Sequence, residues 1–396
     1  MLTQDVLAFI LSKMTQVYTH KLSKPRRDFL IELFRTLFAM RGRVNFTNLA
    51  RFSRYSEQTF RRHFARCFDW VSFNLTIVRL RYHPAEPMIG VFDCSYLPKS
   101  GTKTYGLDRF FSHVAKARRP GLEVSILGCI AVLSRRVWTL DATQTPPGLS
   151  EQSAAPYSRI DFYLEQILDC LGVLPKVQYW VGDGYYAKHK VFNTLTGAGK
   201  HLITRLRSDA NLRLVVAPER RRGRYGGKLL LGPWHQWEPV GRLDALPHVH
   251  LYTAWANSAH FKRDLRVVAL VSERDGSYVI LCSTDINQSA DEVVQYYRLR
   301  YQLEFVIRDA KQFVGLSHCQ ARDQDKLDFH LNMSLAGVNV ARLLCQQRQC
   351  SFNTLIREHY NRYVVEQLLD ELGLKAEFDL KHPRIRRVIE IGSMAA

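Results

Sequence analysis

Residues 158–207 read SRIDFYLEQILDCLGVLPKVQYWVGDGYYAKHKVFNTLTGAGKHLITRLR. The first part of this stretch carries apolar residues at helical spacing, and VQYWVGD after it is short and apolar on both faces, as a buried strand is. A second helical segment, AKHKVFNTLTGAG, and a second strand-like segment, HLITRLR, repeat the order. Strands that alternate with helices predict an α/β fold, here a three-layer core around a mixed sheet.

The segments on either side extend this core. PMIGVFD, LEVSILGCIAVLS and RVWTLDA are short apolar runs bounded by turn residues, so residues 86–208 are predicted to form the first part of the core. The helical period fades over residues 209–287, where LRLVV, KLLLGPW, HVHLYTAWA, LRVVALVSE and SYVILCST predict a β-rich insertion. Helices resume near Ser289 and complete the core over 288–347. A C-terminal helical region follows at 348–396, with a loosely held tail, KHPRIRRVIEIGSMAA.

Residues 1–85 are predicted to be helical, because their apolar positions follow the helical period without sustained alternation. Within them, residues 45–68 resemble a helix-turn-helix, with Ser56 as N-cap and Glu57 in the first turn of the second helix. In that motif the start of the second helix enters the major groove of DNA, which would direct Gln58, Arg61 and Arg62 at bases and phosphates. The alternative is a helical hairpin with a solvated basic face.

Charge narrows the class of partner. The 396 residues contain 56 Lys and Arg against 37 Asp and Glu, a formal net charge of +19. Such a balance favours a polyanionic partner, and nucleic acid is preferred over an anionic membrane. No apolar run approaches the length of a membrane span, and an acidic residue precedes the first apolar stretch, so a cytosolic protein is expected. The eight cysteines are scattered singly, which indicates reduced thiols rather than a zinc site.

Two acidic residues follow strand-like segments. Asp93 is predicted to end the strand MIGVFD, and Asp183 to end YWVGD. Ligand chemistry collects at strand ends in α/β sheets, although an aspartate there is often only a turn or helix cap. Together with Glu304 the pair indicates a candidate site, since two carboxylates from adjacent strands and one from a packing helix can converge. Three carboxylates suit a pair of divalent cations that transfers phosphoryl groups.

Residues 296–311, YYRLRYQLEFVIRDAK, are predicted to form one helix that carries Glu304. At about 100° per residue, Tyr297, Arg300, Glu304 and Lys311 fall within an arc of roughly 60°. An exposed ladder of ion pairs between Glu304 and its neighbours Arg300 and Arg308 is the alternative, but it does not explain the tyrosine and the lysine. The adjoining side of the helix is apolar: Leu299, Leu303, Val306, Ala310 and Phe313.

The pattern Tyr297-x2-Arg300-x3-Glu304-x6-Lys311 resembles the YREK signature of DDE transposases of the insertion-sequence-4 type. FDCSYLPKSG around Asp93 and VGDGYYAKHKVF around Asp183 are similar to the first and second acidic motifs of that family. The resemblance covers residues 88–345 and implies an RNase H-like catalytic core interrupted by the β-rich insertion.

The resemblance also implies roles for single residues. Asp93, Asp183 and Glu304 would be the catalytic triad that binds two Mg²⁺ ions, for which Mn²⁺ can substitute. Tyr297, Arg300 and Lys311 would hold the DNA strand end. Members that excise through a hairpin use a tryptophan of the insertion to accommodate a flipped base, and the candidates are Trp234, Trp237 and Trp255. A core position is the alternative for each of them.

Further basic residues are candidates for DNA contact, with a solvated loop as the alternative in each case. Lys99 and Lys103 follow Asp93 in LPKSGTKTYG, and Arg221 and Arg222 belong to the glycine-containing loop ERRRGRYGGK.

Together these features predict a DNA transposase that binds terminal inverted repeats in double-stranded DNA, cleaves the element ends and joins the 3′-hydroxyls to target DNA. A homodimer assembled on DNA is expected, because two ends must be cut in concert, and the C-terminal helices would assist it. Two rivals remain: a metal-dependent endonuclease that never joins strands, and a transposase-derived DNA-binding regulator that has lost catalysis.

Overall fold

The computed structural model describes residues 3–17, 22–112, 114–149, 151–152, 155–217, 219, 222–242, 247–374 and 379–393. The helices are α1 (Thr3–Val17), α2 (Lys24–Ala39), α3 (Phe46–Arg51), α4 (Glu57–Phe64), α5 (Trp70–Arg81), α6 (Arg159–Leu171), α7 (His189–Gly197), α8 (Ala290–Leu299), α9 (Tyr301–Phe313), α10 (Gln324–Arg348), α11 (Phe352–Glu371) and α12 (Pro383–Ile389). The strands are β1 (Met88–Pro98), β2 (Asp108–Ser112), β3 (Ala117–Ala131), β4 (Arg136–Gln144), β5 (Tyr179–Val181), β6 (His201–Leu206), β7 (Leu212–Val215), β8 (Tyr225–Lys228), β9 (Glu238–Arg242), β10 (Val249–Ser258), β11 (Arg263–Ser272) and β12 (Tyr278–Ser283).

These strands form one mixed sheet in the order β2-β3-β1-β5-β6-β12-β11-β10-β7-β8, with β4 on β3 and β9 on β10. β1 pairs antiparallel with β3 and parallel with β5, and β5 pairs parallel with β6. Parallel neighbours need a crossover connection, and α6 and α7 supply the helices around β5. The mixed α/β architecture predicted from the sequence is consistent with an RNase H-like core.

Close packing fixes β1 against β5. Gly90 pairs with Trp180, and a Cβ built on Gly90 would lie 2.3 Å from the indole. Gly182 has the same relation to Phe92, at 2.3 Å. Each glycine therefore leaves room for an aromatic ring on the neighbouring strand, and both rings are buried.

The β-rich segment is continuous with the core sheet. β12 pairs antiparallel with β6 and with β11, so the strands of residues 209–287 extend the sheet without a break. One segment differs from the prediction: KLLLGPW is mostly irregular, and the strand here, β8, ends at its first residue, Lys228. Leu229 is buried all the same, so its apolar run reflects packing in a loop.

The N-terminal helices pack against the long helix α10 and against α11. The Phe329 ring of α10 lies 4.4 Å from that of Phe64 and 5.1 Å from that of Trp70. Asn339 of α10 donates from its side-chain amide to Asn74 of α5 at 2.9 Å. The described residues of this N-terminal segment form helices α1–α5, as predicted, and they share a core with the C-terminal part of the chain.

Three further findings complete the fold. The expected loose tail contains α12, whose Ile389 is buried and whose last carbonyl accepts a hydrogen bond from Asn361 at 2.9 Å, so that prediction is wrong for Pro383–Ile389. All eight cysteines are free thiols. No helix in the described part of the chain is long and apolar enough to cross a membrane.

Candidate active site

Asp93 and Asp183 are brought together by the parallel pairing of β1 and β5. Val91 pairs with Val181, and each aspartate lies two residues beyond that pair. The prediction that Asp93 ends its strand is wrong, because β1 continues to Pro98 on its antiparallel partner β3. The strand that ends near Asp93 is its parallel neighbour β5, and the charge of Asp183, just beyond β5, acts on the Asp93 carboxyl.

Asp183 begins a 3-10 turn over Gly184–Tyr186, and its side chain accepts a hydrogen bond from the backbone N–H of Tyr185 at 3.0 Å. Its carbonyl oxygen accepts a second bond from the Thr204 hydroxyl of β6 at 2.7 Å. The aspartate is thus held by the turn that follows it and by the next strand of the sheet.

The Asp93 carboxyl is strongly perturbed. Burial, followed by the negative charge of Asp183 and a smaller contribution from Glu304, raises its pKa to about 7. The Arg300 guanidinium and a 2.8 Å hydrogen bond from the backbone N–H of Cys94 oppose this rise in pKa. A carboxyl that two other carboxylates make harder to ionise marks a site where a positive charge would be stabilising.

Glu304, on α9, is connected to Asp93 by Arg300, which forms an ion pair with each of the two carboxylates. One guanidinium nitrogen of Arg300 donates to Asp93 at 2.8 Å, and another lies 3.0 Å from the Glu304 carboxylate. Both carboxylates therefore approach one buried cation, and the Arg300 side chain is only 8 % exposed. Glu304 itself is 45 % exposed at the rim.

The predicted single helix over 296–311 is divided at Arg300. α8 ends at Leu299 and α9 begins at Tyr301, with Arg300 as the residue between them. Because the backbone there remains right-handed helical (φ −51°, ψ −35°), the spacing of the stripe is nearly preserved. The apolar side is confirmed by burial of Leu299, Leu303, Val306 and Ala310.

Tyr297 and Lys311 lie on either side of Glu304. Tyr297 is buried, and burial raises the pKa of its hydroxyl. The Lys311 ammonium donates to the Ser95 hydroxyl at 3.0 Å and to the Tyr96 carbonyl at 3.2 Å, both on β1. Burial lowers the pKa of Lys311. The lysine consequently fixes α9 against the strand that carries Asp93.

A polar cleft of about 580 Å³ opens beside Asp183. Tyr297 and Arg300 line it, as do Arg205 near the end of β6 and Arg207 directly after that strand. Sequence reasoning missed these two arginines because HLITRLR was interpreted only as a strand. Their place at the end of β6, next to the strand that leads to Asp183, was the signal that could have found them.

The other predicted DNA contacts lie in different places. The Lys99 ammonium donates to the backbone carbonyls of Cys319 and Ala321, so it ties the exit of β1 to the loop before α10. Lys103 is exposed in the turn before β2, and Arg222 is exposed before β8. Arg221 lies outside the described residues.

The helix-turn-helix segment forms as two short helices, α3 and α4. Ser56 caps α4 by accepting from the backbone N–H of Thr59 at 3.3 Å, as predicted. Gln58, Arg61 and Arg62 are all exposed. Arg61 also pairs with Glu57 at 2.5 Å on the same helix.

The three candidate tryptophans differ in exposure. Trp237 is buried, and its indole N–H donates to the Leu230 carbonyl at 3.0 Å. Trp234 stacks on Tyr252 with ring centroids 5.5 Å apart. Trp255 on β10 is 37 % exposed, with the Arg266 guanidinium 5.3 Å from its ring centroid. Trp255 is therefore the most accessible of the three for stacking.

The donor chemistry of the site fits hard divalent cations. Asp93, Asp183 and Glu304 supply carboxylate oxygens, the ligand type that Mg²⁺ and Mn²⁺ prefer. The raised pKa of Asp93 reflects burial first and then repulsion from the neighbouring carboxylates, and a bound cation would offset both. Among the described residues, no group of three acidic, histidine or cysteine side chains is positioned to bind a metal ion. Between Asp93 and Glu304, the positive charge is supplied by the Arg300 guanidinium.

An α/β sheet with neighbouring carboxylates and a basic cleft offers ligands for divalent cations and for phosphate groups. In the comparison with known families, residues 162–340 match the family model described as a transposase DDE domain. The match includes Asp183 and Glu304, and it supports assignment to a DDE transposase family. Domains of this kind suggest metal-dependent polynucleotidyl transfer or nuclease chemistry. No curated protein matches the chain.

Proposed function

We propose that the protein is a cut-and-paste transposase of the insertion-sequence-4 type. It would bind the terminal inverted repeats of its own element, cleave the ends and join the freed 3′-hydroxyls to target DNA. The observation that carries this proposal is the convergence of Asp93 and Glu304 on one guanidinium, with the Asp183 charge close enough to raise the pKa of Asp93. The Tyr297, Arg300, Glu304 and Lys311 spacing supports the subfamily.

Asp93, Asp183 and Glu304 would hold the cations, Mg²⁺ or Mn²⁺. Bound divalent ions supply a nucleophilic water or hydroxyl at neutral pH and neutralise the leaving oxyanion. The chain's own contribution is position: β1, the turn after β5 and α9 fix one carboxylate each. No separate general base is needed in this scheme.

Around the carboxylates, the basic residues would orient the DNA strand. Arg205 and Arg207 line the cleft beside Asp183 and present guanidinium forks suited to phosphate oxygens. Lys311 lines the groove on the other side of Glu304. A strand end that crosses the site would meet a positive charge on either side of the scissile phosphate.

DNA recognition and assembly would use other surfaces. The exposed side of α4, with Gln58, Arg61 and Arg62, is the candidate for reading the terminal repeat. Val364 and Leu368 on α11 are 44 % and 56 % exposed, which supports a role for the C-terminal helices in a homodimer on DNA. Exposed Trp255 is the favoured residue for stacking on a flipped base, if excision passes through a hairpin.

The experiment compares wild type with Asp183→Asn on a duplex that carries the inverted repeat flanking the reading frame. We expect cleavage in Mg²⁺ or Mn²⁺ to fall at least a thousandfold in the variant, whereas DNA affinity stays within about twofold. Asp169→Asn is the control, because Asp169 is an exposed carboxylate on α6 that does not line the cleft. Full metal-dependent cleavage by Asp183→Asn would defeat the assignment.

A second assay separates the rivals. A pre-cleaved end with a free 3′-hydroxyl is incubated with plasmid DNA, and joined products are measured. Joining supports the transposase. Cleavage without joining identifies an endonuclease, and DNA binding with neither reaction identifies a regulator.

A further inference from the structure

Outside the candidate active site, five arginines line one cleft of about 440 Å³. We call it the arginine cleft and define it by Arg81, Arg135, Arg136, Arg308 and Arg342. They come from four places in the fold: the end of α5, the β3–β4 turn with the start of β4, α9 and α10. Folding brings these four parts of the chain together, so the sequence alone did not predict the cluster.

Acidic partners offset only part of this charge. Asp309 pairs with Arg342 at 2.8 Å and with Arg308 at 3.2 Å. Arg136 lies against the carboxamide of Gln346. Across the described part of the chain, Arg81, Arg135 and Arg136 make no ion pair. The cleft therefore keeps an excess of positive charge.

The cleft is adjacent to the candidate active site. Arg308 lines both the arginine cleft and the groove that contains Glu304 and Lys311. Arg308 follows Glu304 by four residues, a rise of about 6 Å along the helix. At about 3.4 Å per nucleotide of duplex, that step corresponds to roughly two nucleotides.

We propose that the arginine cleft binds the phosphodiester backbone of the DNA beyond the scissile phosphate, about two nucleotides or more from it. This inference rests on the proposed function, since it takes DNA as the substrate. Guanidinium groups suit phosphate oxygens because they donate two parallel hydrogen bonds. The half-exposed Phe305 ring, under the Arg308 guanidinium at 5.0 Å, adds an apolar surface for the sugar.

The test measures DNA affinity of the full chain against salt concentration. A 40-base-pair duplex of arbitrary sequence serves as probe, in EDTA so that no cleavage occurs. For Arg81→Gln/Arg135→Gln we expect the slope of log affinity against log salt to fall by about 2, since each lost phosphate contact removes about 0.9. Affinity at 0.1 M salt should be about 10- to 100-fold weaker.

Two matched variants make the result specific. Arg384→Gln/Arg387→Gln removes the same charge from exposed positions on α12, and its slope should equal that of wild type. Arg81→Lys/Arg135→Lys keeps the charge and should keep most of the slope. If the α5 end does not tolerate the change, Arg135→Gln alone, on the exposed hairpin turn, should lower the slope by about 1.

An unchanged slope in Arg81→Gln/Arg135→Gln would overturn the inference. An equal decrease of the slope in the α12 variant would also overturn it, because the effect would then depend only on the net charge of the protein. Either result leaves the proposed function standing if wild type still cleaves element ends. Absence of DNA binding by wild type would overturn both proposals.

Discussion

Asp93 carries a conflict between folding and the proposed chemistry. Its pKa of about 7 in the folded protein compares with 3.8 for an ordinary aspartate, so the unfolded chain loses this proton first as pH rises. The stability linked to the group is full below pH 4 and is lost as pH rises towards 7, at up to about 1.4 kcal/mol per unit. At neutral pH the fold therefore holds a carboxylate that destabilises it.

We therefore expect Asp93→Asn to unfold at higher denaturant concentration than wild type at pH 8. The difference in unfolding free energy should shrink as pH falls to 5, because wild type then regains its proton. Urea titrations at pH 5, 6, 7 and 8, without divalent ions, measure it. A stability difference between Asp93→Asn and wild type that does not vary with pH would contradict the prediction.

At the level of residues, sequence reasoning selected the three carboxylates that the fold brings near one another. It could not find that Arg300 lies between two of them, because ion pairing depends on which strand faces α9. It also could not decide the role of Lys99, whose charge suggested DNA but whose ammonium meets two backbone carbonyls. Charge is visible in a sequence, whereas its partner is not.

Among the elements, β1 and β5 set the position of the site, and Gly90 sets their contact. An alanine Cβ at this position would lie 2.3 Å from the buried Trp180 ring. We expect Gly90→Ala to lower the unfolding free energy by about 1–3 kcal/mol, the usual cost of overpacking. Gly172→Ala is the control, since its Cβ would meet nothing within 4 Å, and it should change stability by less than about 0.5 kcal/mol. Equal urea midpoints for the two variants would refute this.

The N-terminal helices contain a buried histidine that makes the folded state less stable as the pH falls. His63 of α4 stacks on Phe29 with centroids 3.9 Å apart, and its Nδ1 lies 2.9 Å from the Arg26 guanidinium. Because arginine can only donate, Nδ1 must accept and therefore carries no proton. Burial and the charge of Arg26 lower the pKa of His63 to about 4.

The unfolded chain thus takes up this proton near pH 6.5, before the folded protein does. Stability from His63 is full above pH 6.5 and declines as pH falls towards 4, by up to about 1.4 kcal/mol per unit. We expect His63→Gln, although less stable at pH 7.5, to lose less unfolding free energy than wild type between pH 7 and 5. Thermal melts across that range test it, with exposed His235→Gln as the control. Parallel pH curves for wild type and His63→Gln would contradict it.

The elements themselves were largely predictable, because helical period and short apolar strands survive in single sequences. The core strands and the helices around them follow the predicted segments, and Ser289 caps α8 as expected for the start of the last helical part. The missed elements are short: β8 has four residues, β2 and β9 have five each, and α12 has seven. Such pieces are stabilised by tertiary packing more than by their own pattern.

At the scale of the whole molecule, the predicted division into separate segments did not reveal that the N-terminal helices and α10 share one hydrophobic core. Phe64 and Trp70 pack on Phe329, so removal of residues 1–85 would expose one side of α10. We expect a chain that begins at residue 86 to lack a cooperative unfolding transition, as measured by circular dichroism in urea. Removal of residues 379–396, of which Ile389 is buried, should leave cooperative unfolding intact. A stable, cooperative 86–396 fragment would disprove the shared core.

The continuity of the sheet has a mechanical consequence. β6 pairs on one side with β5 and on the other with β12, and its Thr204 holds the Asp183 carbonyl at 2.7 Å. A rigid ladder of backbone hydrogen bonds therefore links the outermost strands to the turn that carries Asp183. Under the proposed function, a force that DNA exerts on the β-rich segment would be transmitted through this ladder to the turn that carries Asp183. The position of Asp183 is therefore coupled to the β-rich segment through β6 and β12.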